Sequence, residues 1–210
     1  ADIVLLTLPF TTLRDVDLRV ELPAWKTRAI AELGYGTNAK LFVGFDRRVW
    51  RERGHSGNVY TDAGFQLGWD SSRQQPVSSG GYTLYSGGKA GIDVGRGTAD
   101  DQVDRLLPGL ERCYPGVSAT RNGKLSRFHW PSYRHSLGSY AAYRVGQWTS
   151  IGGAEGRPVG NLFFAGEHTS TGYQGFMNGA AETGRAAAEA IAALAGDKAE
   201  AKAKGPVAPR

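Results

Sequence analysis

The stretch LFFAGEHTSTGYQGFMNGAAETGRAAAEA, residues 162–190, limits the fold more than any other part of the chain. An apolar run, Leu162-Phe163-Phe164-Ala165, stops at Gly166. A polar segment follows, and then a run of almost entirely small residues. Such a run forms a helix with little side-chain bulk on one side, so Gly175, Gly179, Ala180 and Gly184 leave its backbone open to close approach. The N–H groups and positive dipole end at the helix start favour a negatively charged group. A strand, a turn and a helix in this order point to an α/β fold. On spacing alone two readings stay open: a helix packed tightly on a sheet, and a cradle for a flat or bulky anionic ligand.

Upstream, residues 3–8 form an apolar run broken by Thr7 and closed by Pro9, the pattern of a strand buried on both faces. Residues 25–33 have helical spacing and stop at Gly34. KLFVGF (40–45), GFQLGW (64–69) and YTLY (82–85) are expected strands, and the polar stretch 70–81 a hairpin loop. Thr98 is an N-cap candidate, with Asp100 and Asp101 in the first turn and Val103, Leu106, Leu107 and Leu110 at helical spacing behind it. That helix is expected to end near Tyr114-Pro115-Gly116. An aromatic-rich segment, 128–148, and a glycine-rich loop, 152–160, lead into a strand at 161–165 and a helix at 175–195. Residues 197–210, rich in Ala and Lys, are expected to form a disordered tail.

Composition mostly excludes. A chain of 210 residues, 40% hydrophobic and 21% charged, can bury one sizeable core or two smaller ones. It holds no apolar run of about eighteen residues, so no membrane span is expected. The net charge of +5 is scattered, with Lys198, Lys202 and Lys204 near the end, which reads as a solvated surface and not a nucleic-acid stripe. The single cysteine, Cys113, cannot form an internal disulfide or a multi-cysteine metal site. His129, His135 and His168 lack ligand-like spacing, so no metal is expected. Gly87-Gly88-Lys89-Ala90-Gly91 resembles a phosphate loop, but no Ser or Thr follows Lys89. The chain opens on an apparent buried strand without signal-peptide features, as if in mid-fold, and its localisation is unknown.

The segment FFAGEHTSTGYQGFMNGAAETGRAA is similar to the C-terminal flavin-binding signature of the flavin monoamine oxidase family, which includes monoamine, polyamine and L-amino acid oxidases. Gly36-Thr37-Asn38-Ala39-Lys40, with Phe45 and Trp50 beyond, resembles that family's lysine-bearing strand. DIVLLTLPFTTL (2–13) resembles the strand before its crossover into the substrate domain. Trp130, followed by Gly138-Ser139-Tyr140, matches the spacing of the family's tryptophan and second aromatic. The resemblance reaches to about residue 195. It implies a mixed α/β fold, the C-terminal part of a two-domain FAD-dependent amine oxidase. Residues 1–29 and 133–196 would belong to a Rossmann-like FAD-binding domain, and 30–132 to a substrate domain with a mixed β-sheet and helices.

The same resemblance implies roles. Gly166 and Glu167 would approach the ribityl and pyrophosphate groups of FAD, and the backbone of Met177 the flavin pyrimidine edge, with Gly175 and Ala180 in the same cradle. Lys40 would hold a water beside flavin N5, and Trp130 would flank the isoalloxazine. Tyr140 and Phe176 would form an aromatic cage that orients the amine. Ser139 stands where animal monoamine oxidases carry the cysteine bonded to flavin, so non-covalent FAD is implied. The implied reaction oxidises a primary amine or polyamine to an imine, which water hydrolyses, while O₂ becomes hydrogen peroxide. L-amino acids are the alternative substrates. A desaturase or demethylase relative would use the same chemistry, and a non-catalytic structural half is a reading of a different class. The family's N-terminal GxGxxG unit does not occur in this sequence. The expected partner is therefore the N-terminal half of the same protein or a separate subunit, without which the chain would be inactive.

Overall fold

The structure, a computed structural model, describes residues 1–203, with side chains to residue 195. Its elements are β1 (Val4–Leu6), α1 (Phe10–Leu13), α2 (Ala24–Glu32), β2 (Ala39–Phe45), α3 (Val49–Glu52), β3 (Val59–Tyr60), β4 (Leu67–Asp70), β5 (Gly80–Ser86), α4 (Gly88–Val94), α5 (Ala99–Cys113), β6 (Arg121–His129), α6 (Gln147–Ser150), β7 (Leu162–Phe164) and α7 (Met177–Ala203). They divide into two compact units, residues 1–35 with 140–210, and residues 36–139. The sequence reading had set the changeovers at 29/30 and 132/133.

The first unit is built on a parallel pair, β1 with β7, in which Val4 faces Leu162 and Leu6 faces Phe164. Its core gathers Phe10, Leu13, Ala29, Ile30, Leu33, Ala141, Ile151, Leu162 and Phe164. β1 departs from expectation: Leu5 is exposed, so the strand is not buried on both faces. An apolar run reports a capacity for burial, and here only part of that capacity is used. α7 begins at Met177 and continues to Ala203, so the part of the expected disordered tail up to that residue is helical. Its Ala, Glu and Lys residues are strong helix formers, and that propensity prevails over low hydrophobicity. Residues 204–210 lie outside the described residues.

The second unit is an antiparallel sheet with strand order β3-β4-β5-β2-β6. In β2 the side chains alternate: Ala39, Leu41, Val43 and Phe45 are buried, and Lys40, Phe42 and Gly44 are half-buried. The buried row shares a core with Val103, Leu106 and Leu110 of α5 and with Trp50, Tyr82 and Tyr114, whose rings sit 5.0 to 6.2 Å apart. Several elements carry no sequence pattern of their own, among them the short α1, α3, β3 and α6, and the longer β6 and α4. β6 is polar enough (RNGKLSRFH) to lack a strand pattern, and it forms because β2 offers it a whole edge. The glycine-rich 87–91 run opens α4.

α5 carries a reciprocal cap. Thr98 Oγ1 accepts from the Asp101 N–H at 3.1 Å, and Asp101 Oδ2 accepts from the Thr98 N–H at 2.7 Å. Replacing Thr98 with Ala removes one half of this box and should lower stability by about 1 kcal/mol. Urea unfolding checks this, and an unchanged midpoint would show that the cap contributes nothing.

Candidate functional site

In the first unit the chemistry-bearing residues gather where β7 hands over to α7. The strand ends at Phe164, and two residues on the Gly166 N–H donates to Thr183 Oγ1 at 3.0 Å; the Thr183 hydroxyl donates in turn to the Gly179 carbonyl at 2.9 Å. The strand end is thereby tied to the second turn of the helix. Glu167 follows, and its carboxylate accepts from the Ala141 N–H at 3.0 Å and from the Gly175 N–H at 2.7 Å. Gly175 has φ +86°, a left-handed conformation that favours glycine. A Cβ at Gly175 would stand 3.6 Å from Tyr140 Cδ2, so the Tyr140 ring lies along that glycine.

Phe176 and Met177 come next and are open, at 68% and 89% exposure, and Tyr140 is 39% exposed. Of the expected site residues, the structure thus brings Tyr140, Gly166, Glu167, Gly175, Phe176, Met177 and Ala180 into one neighbourhood. Ala180 and Ala181 are exposed on the first turns of α7, and a Cβ at Gly184 would meet nothing within 4 Å. This small-residue surface beside two open aromatic rings fits a flat, partly anionic cofactor such as a flavin.

A second cluster behind β7 was not foreseen. Lys26 is fully buried; its ammonium donates to the carbonyls of Ala154 and Glu155, both at 2.7 Å, and sits 3.8 Å from the Phe164 ring centroid. Burial pulls its pKa down to about 7 against the attraction of the Glu155 carboxylate. Tyr143 Oη donates to that carboxylate at 2.8 Å. His168 is buried against the Phe10 ring, with its Nε2 lacking a hydrogen-bond partner. The sequence did hold a signal, since Lys26, Ala29, Ile30 and Leu33 fall at i, i+3, i+4 and i+7, which places a lysine on the buried stripe of α2.

In the second unit, Lys40 lies on the sheet face opposite α5. The register sets it beside Tyr85 and Phe128, and its Nζ is 5.7 Å from the Trp69 ring centroid. Trp130 joins the same group, its ring centroid 4.2 Å from that of Phe128. Lys40 is half-buried, because the even-numbered row of β2 lies on the face away from α5. Farther along that face is a cleft of about 370 Å³ lined by Phe42, Gly44, Gln75, Ser79, Lys124 and Ser126, among others. Ser139 Oγ donates to Asn38 Oδ1 at 2.5 Å.

The family of flavin containing amine oxidoreductases matches residues 1–192. Among curated proteins, the chain is 30% identical over 194 residues to polyamine oxidase 4 of Oryza sativa subsp. japonica, covering 90% of this chain and 39% of the relative. It is 32% identical over 177 residues to an L-amino acid dehydrogenase of Synechocystis, covering 82% of this chain and 37% of the relative. Among solved structures, a cyclohexylamine oxidase from Brevibacterium oxydans aligns with TM-score 0.82 at 21% identity, over 92% of this chain and 43% of that one. A putrescine oxidase bound to putrescine aligns with TM-score 0.81 at 22% identity, over 91% and 43%. The chain therefore spans about two fifths of the length of these relatives. The mixed α/β architecture is that of these oxidases. No helix among the described residues is long and apolar enough to cross a membrane.

Burial, with Lys26 nearby, pulls the His168 imidazole down to about 4. Between that value and the ordinary value near 6.5, the unfolded chain binds a proton that the folded chain refuses. Stability present above about pH 6.5 is therefore lost as the pH falls toward 4. Urea unfolding at pH 7 and pH 4.5 should show a loss from this group of roughly 2 to 3 kcal/mol. His168→Phe should remove that part of the pH dependence. The same dependence in both proteins would show that His168 is free to take its proton in the folded state.

Proposed function

Because this chain belongs to the family of flavin containing amine oxidoreductases, we propose that it carries the substrate-orienting part of an FAD-dependent oxidase of primary amines or polyamines. The observation that carries this reading is the placing of Tyr140 along Gly175, next to Phe176 and the small-residue start of α7. Tyr140 and Phe176 present two π-faces that hold an amine and exclude water. The start of α7, with Met177 and Ala180, and the turn at Gly166 and Glu167 would hold the flavin. FAD, when bound, supplies the two-electron acceptor for the amine's α-carbon and passes those electrons to O₂.

The Lys40 ammonium, set among Trp69, Tyr85 and Phe128, holds a water and stabilises negative charge developing on oxygen. Trp130, packed on Phe128, would flank the isoalloxazine. The product imine leaves for hydrolysis by water, giving aldehyde and ammonia or amine, with hydrogen peroxide as the second product. FAD is held without a covalent bond: Ser139 forms no thioether, and its hydroxyl is engaged with Asn38. The activity requires the N-terminal flavin-binding half, in the same protein or in a partner subunit. Support for that comes from the two-stranded parallel sheet, a form that normally occurs covered within a larger sheet, and from the exposed Leu5 and Leu8 of the first strand and its extension.

L-amino acids are the second reading of the substrate, supported by the 32% identity to an L-amino acid dehydrogenase of Synechocystis.

The test uses the full-length protein purified with FAD and mixed anaerobically with simple amines, polyamines and L-amino acids. Bleaching of the oxidised flavin band by one class establishes the reaction and names its substrate; no bleaching by any of them sinks the oxidase reading. In the same protein, Lys40→Met should slow the reaction with O₂ roughly tenfold or more while leaving reduction by amine nearly unchanged. Equal rates in both half-reactions would remove Lys40 from the oxygen chemistry.

A further inference from the structure

We propose that Glu167 is a positioning residue that holds the two walls of the amine cage to one another through the backbone. The proposal rests on the reading of Tyr140 and Phe176 as that cage. Its carboxylate touches both wall segments: one oxygen accepts from the N–H of Ala141, directly after Tyr140, and the other from the N–H of Gly175, directly before Phe176. Both bonds join an anionic acceptor to a backbone donor, and such bonds are shorter and stronger than neutral ones.

The two segments also meet directly, where the Tyr140 ring lies along Gly175 and Tyr143 bonds Gln174, and each has backbone supports of its own. Ala141 bridges Tyr35, and the Ala142 N–H donates to the Gly34 carbonyl at 2.9 Å, so the Tyr140 side is fixed to the end of α2. On the other side, the Phe176 N–H donates to the Tyr173 carbonyl, and the Tyr173 N–H to Ser170 Oγ at 2.9 Å. Glu167 itself is anchored at the end of β7 through the turn Glu167–Thr169, in which the Thr169 N–H donates to the Gly166 carbonyl at 3.0 Å. Glu167 thus ties the backbone of both cage walls to the turn that follows β7. A carboxylate has acceptor capacity left after two such bonds, so this role is compatible with contact to a bound cofactor.

The amide of Glu167→Gln places one donor group against a backbone N–H, so it cannot satisfy both amides at once. The test compares wild type, Glu167→Gln and Glu167→Asp as full-length protein with FAD. Two quantities are read: hydrogen exchange of the peptides containing Ala141 and Gly175, and the KM and kcat for the substrate that reduces the wild-type flavin. In Glu167→Gln, exchange at both peptides should rise roughly tenfold to a hundredfold. Kinetics are read on the flavin-loaded fraction, in which KM should rise several-fold and by a larger factor than kcat falls. Glu167→Asp keeps the charge but has a shorter reach, and should release one peptide more than the other. It carries the test should the Gln variant fail to fold.

Exchange unchanged at either peptide in both variants overturns the clamp. Faster exchange at both with an unchanged KM, while Tyr140→Ala raises KM, overturns the positioning role and leaves the cage intact. An unchanged KM in Tyr140→Ala and Phe176→Ala as well sinks the cage itself, and the positioning role with it.

Discussion

The first unit depends on one pairing, β1 with β7, which joins Val4 to Leu162 across the whole of residues 36–139. Closing so long a stretch of chain is unfavourable, but the penalty grows only with the logarithm of its length. It is offset by burial of Phe10, Leu13, Ile30, Leu33 and Phe164 in one core. Everything that makes the candidate site follows from that closure. β7 must be in place before Gly166 can turn the chain, before Thr183 can take the Gly166 N–H, and before Glu167 can reach Ala141 and Gly175.

The second unit is governed by parity along β2. Alternation sends Leu41, Val43 and Phe45 into the core under α5 and leaves Lys40 and Phe42 on the other face. A slip of one residue would drive the Lys40 ammonium into that core and bring out Leu41 and Val43, a change that burial alone forbids. The position of the lysine is therefore a consequence of packing on the face it does not occupy. Its aromatic neighbours, Tyr85 and Phe128, arrive by register with β5 and β6.

Where periodicity and punctuation agreed, the sequence was enough. The Thr98 cap, the α5 stripe, β2, the 70–81 hairpin and the β7–α7 handover were all visible in it, because each is written in local residue types. β6 was not visible, since its polar composition says nothing of the edge waiting beside β2. The half-open state of Lys40 was also hidden: a single sequence names the strand but not what covers each face. The recognisable motif showed which residues gather at the start of α7, and left unsaid how they are held.

Lys26 and Glu167 show why polar residues were the hardest to read. Each is a charged side chain whose main partners are backbone groups: two carbonyls for Lys26, two amides for Glu167. Backbone groups carry no residue signature, so no complementary charge in the sequence announces the pair. The physical need is nonetheless strict. A peptide N–H or carbonyl removed from water without a partner is destabilising, and loops such as 139–142, 153–156 and 173–176 have few neighbours of their own to supply one. A charged side chain reaching in from a regular element satisfies two such groups at once and fixes the loop to that element. Lys26 does this from α2 for the segment at Ala154 and Glu155, and Glu167 does it from the end of β7 for the segments that carry Tyr140 and Phe176. The irregular parts of the first unit are thus ordered by charges on its regular parts, and the candidate site lies where one of those charges serves two segments.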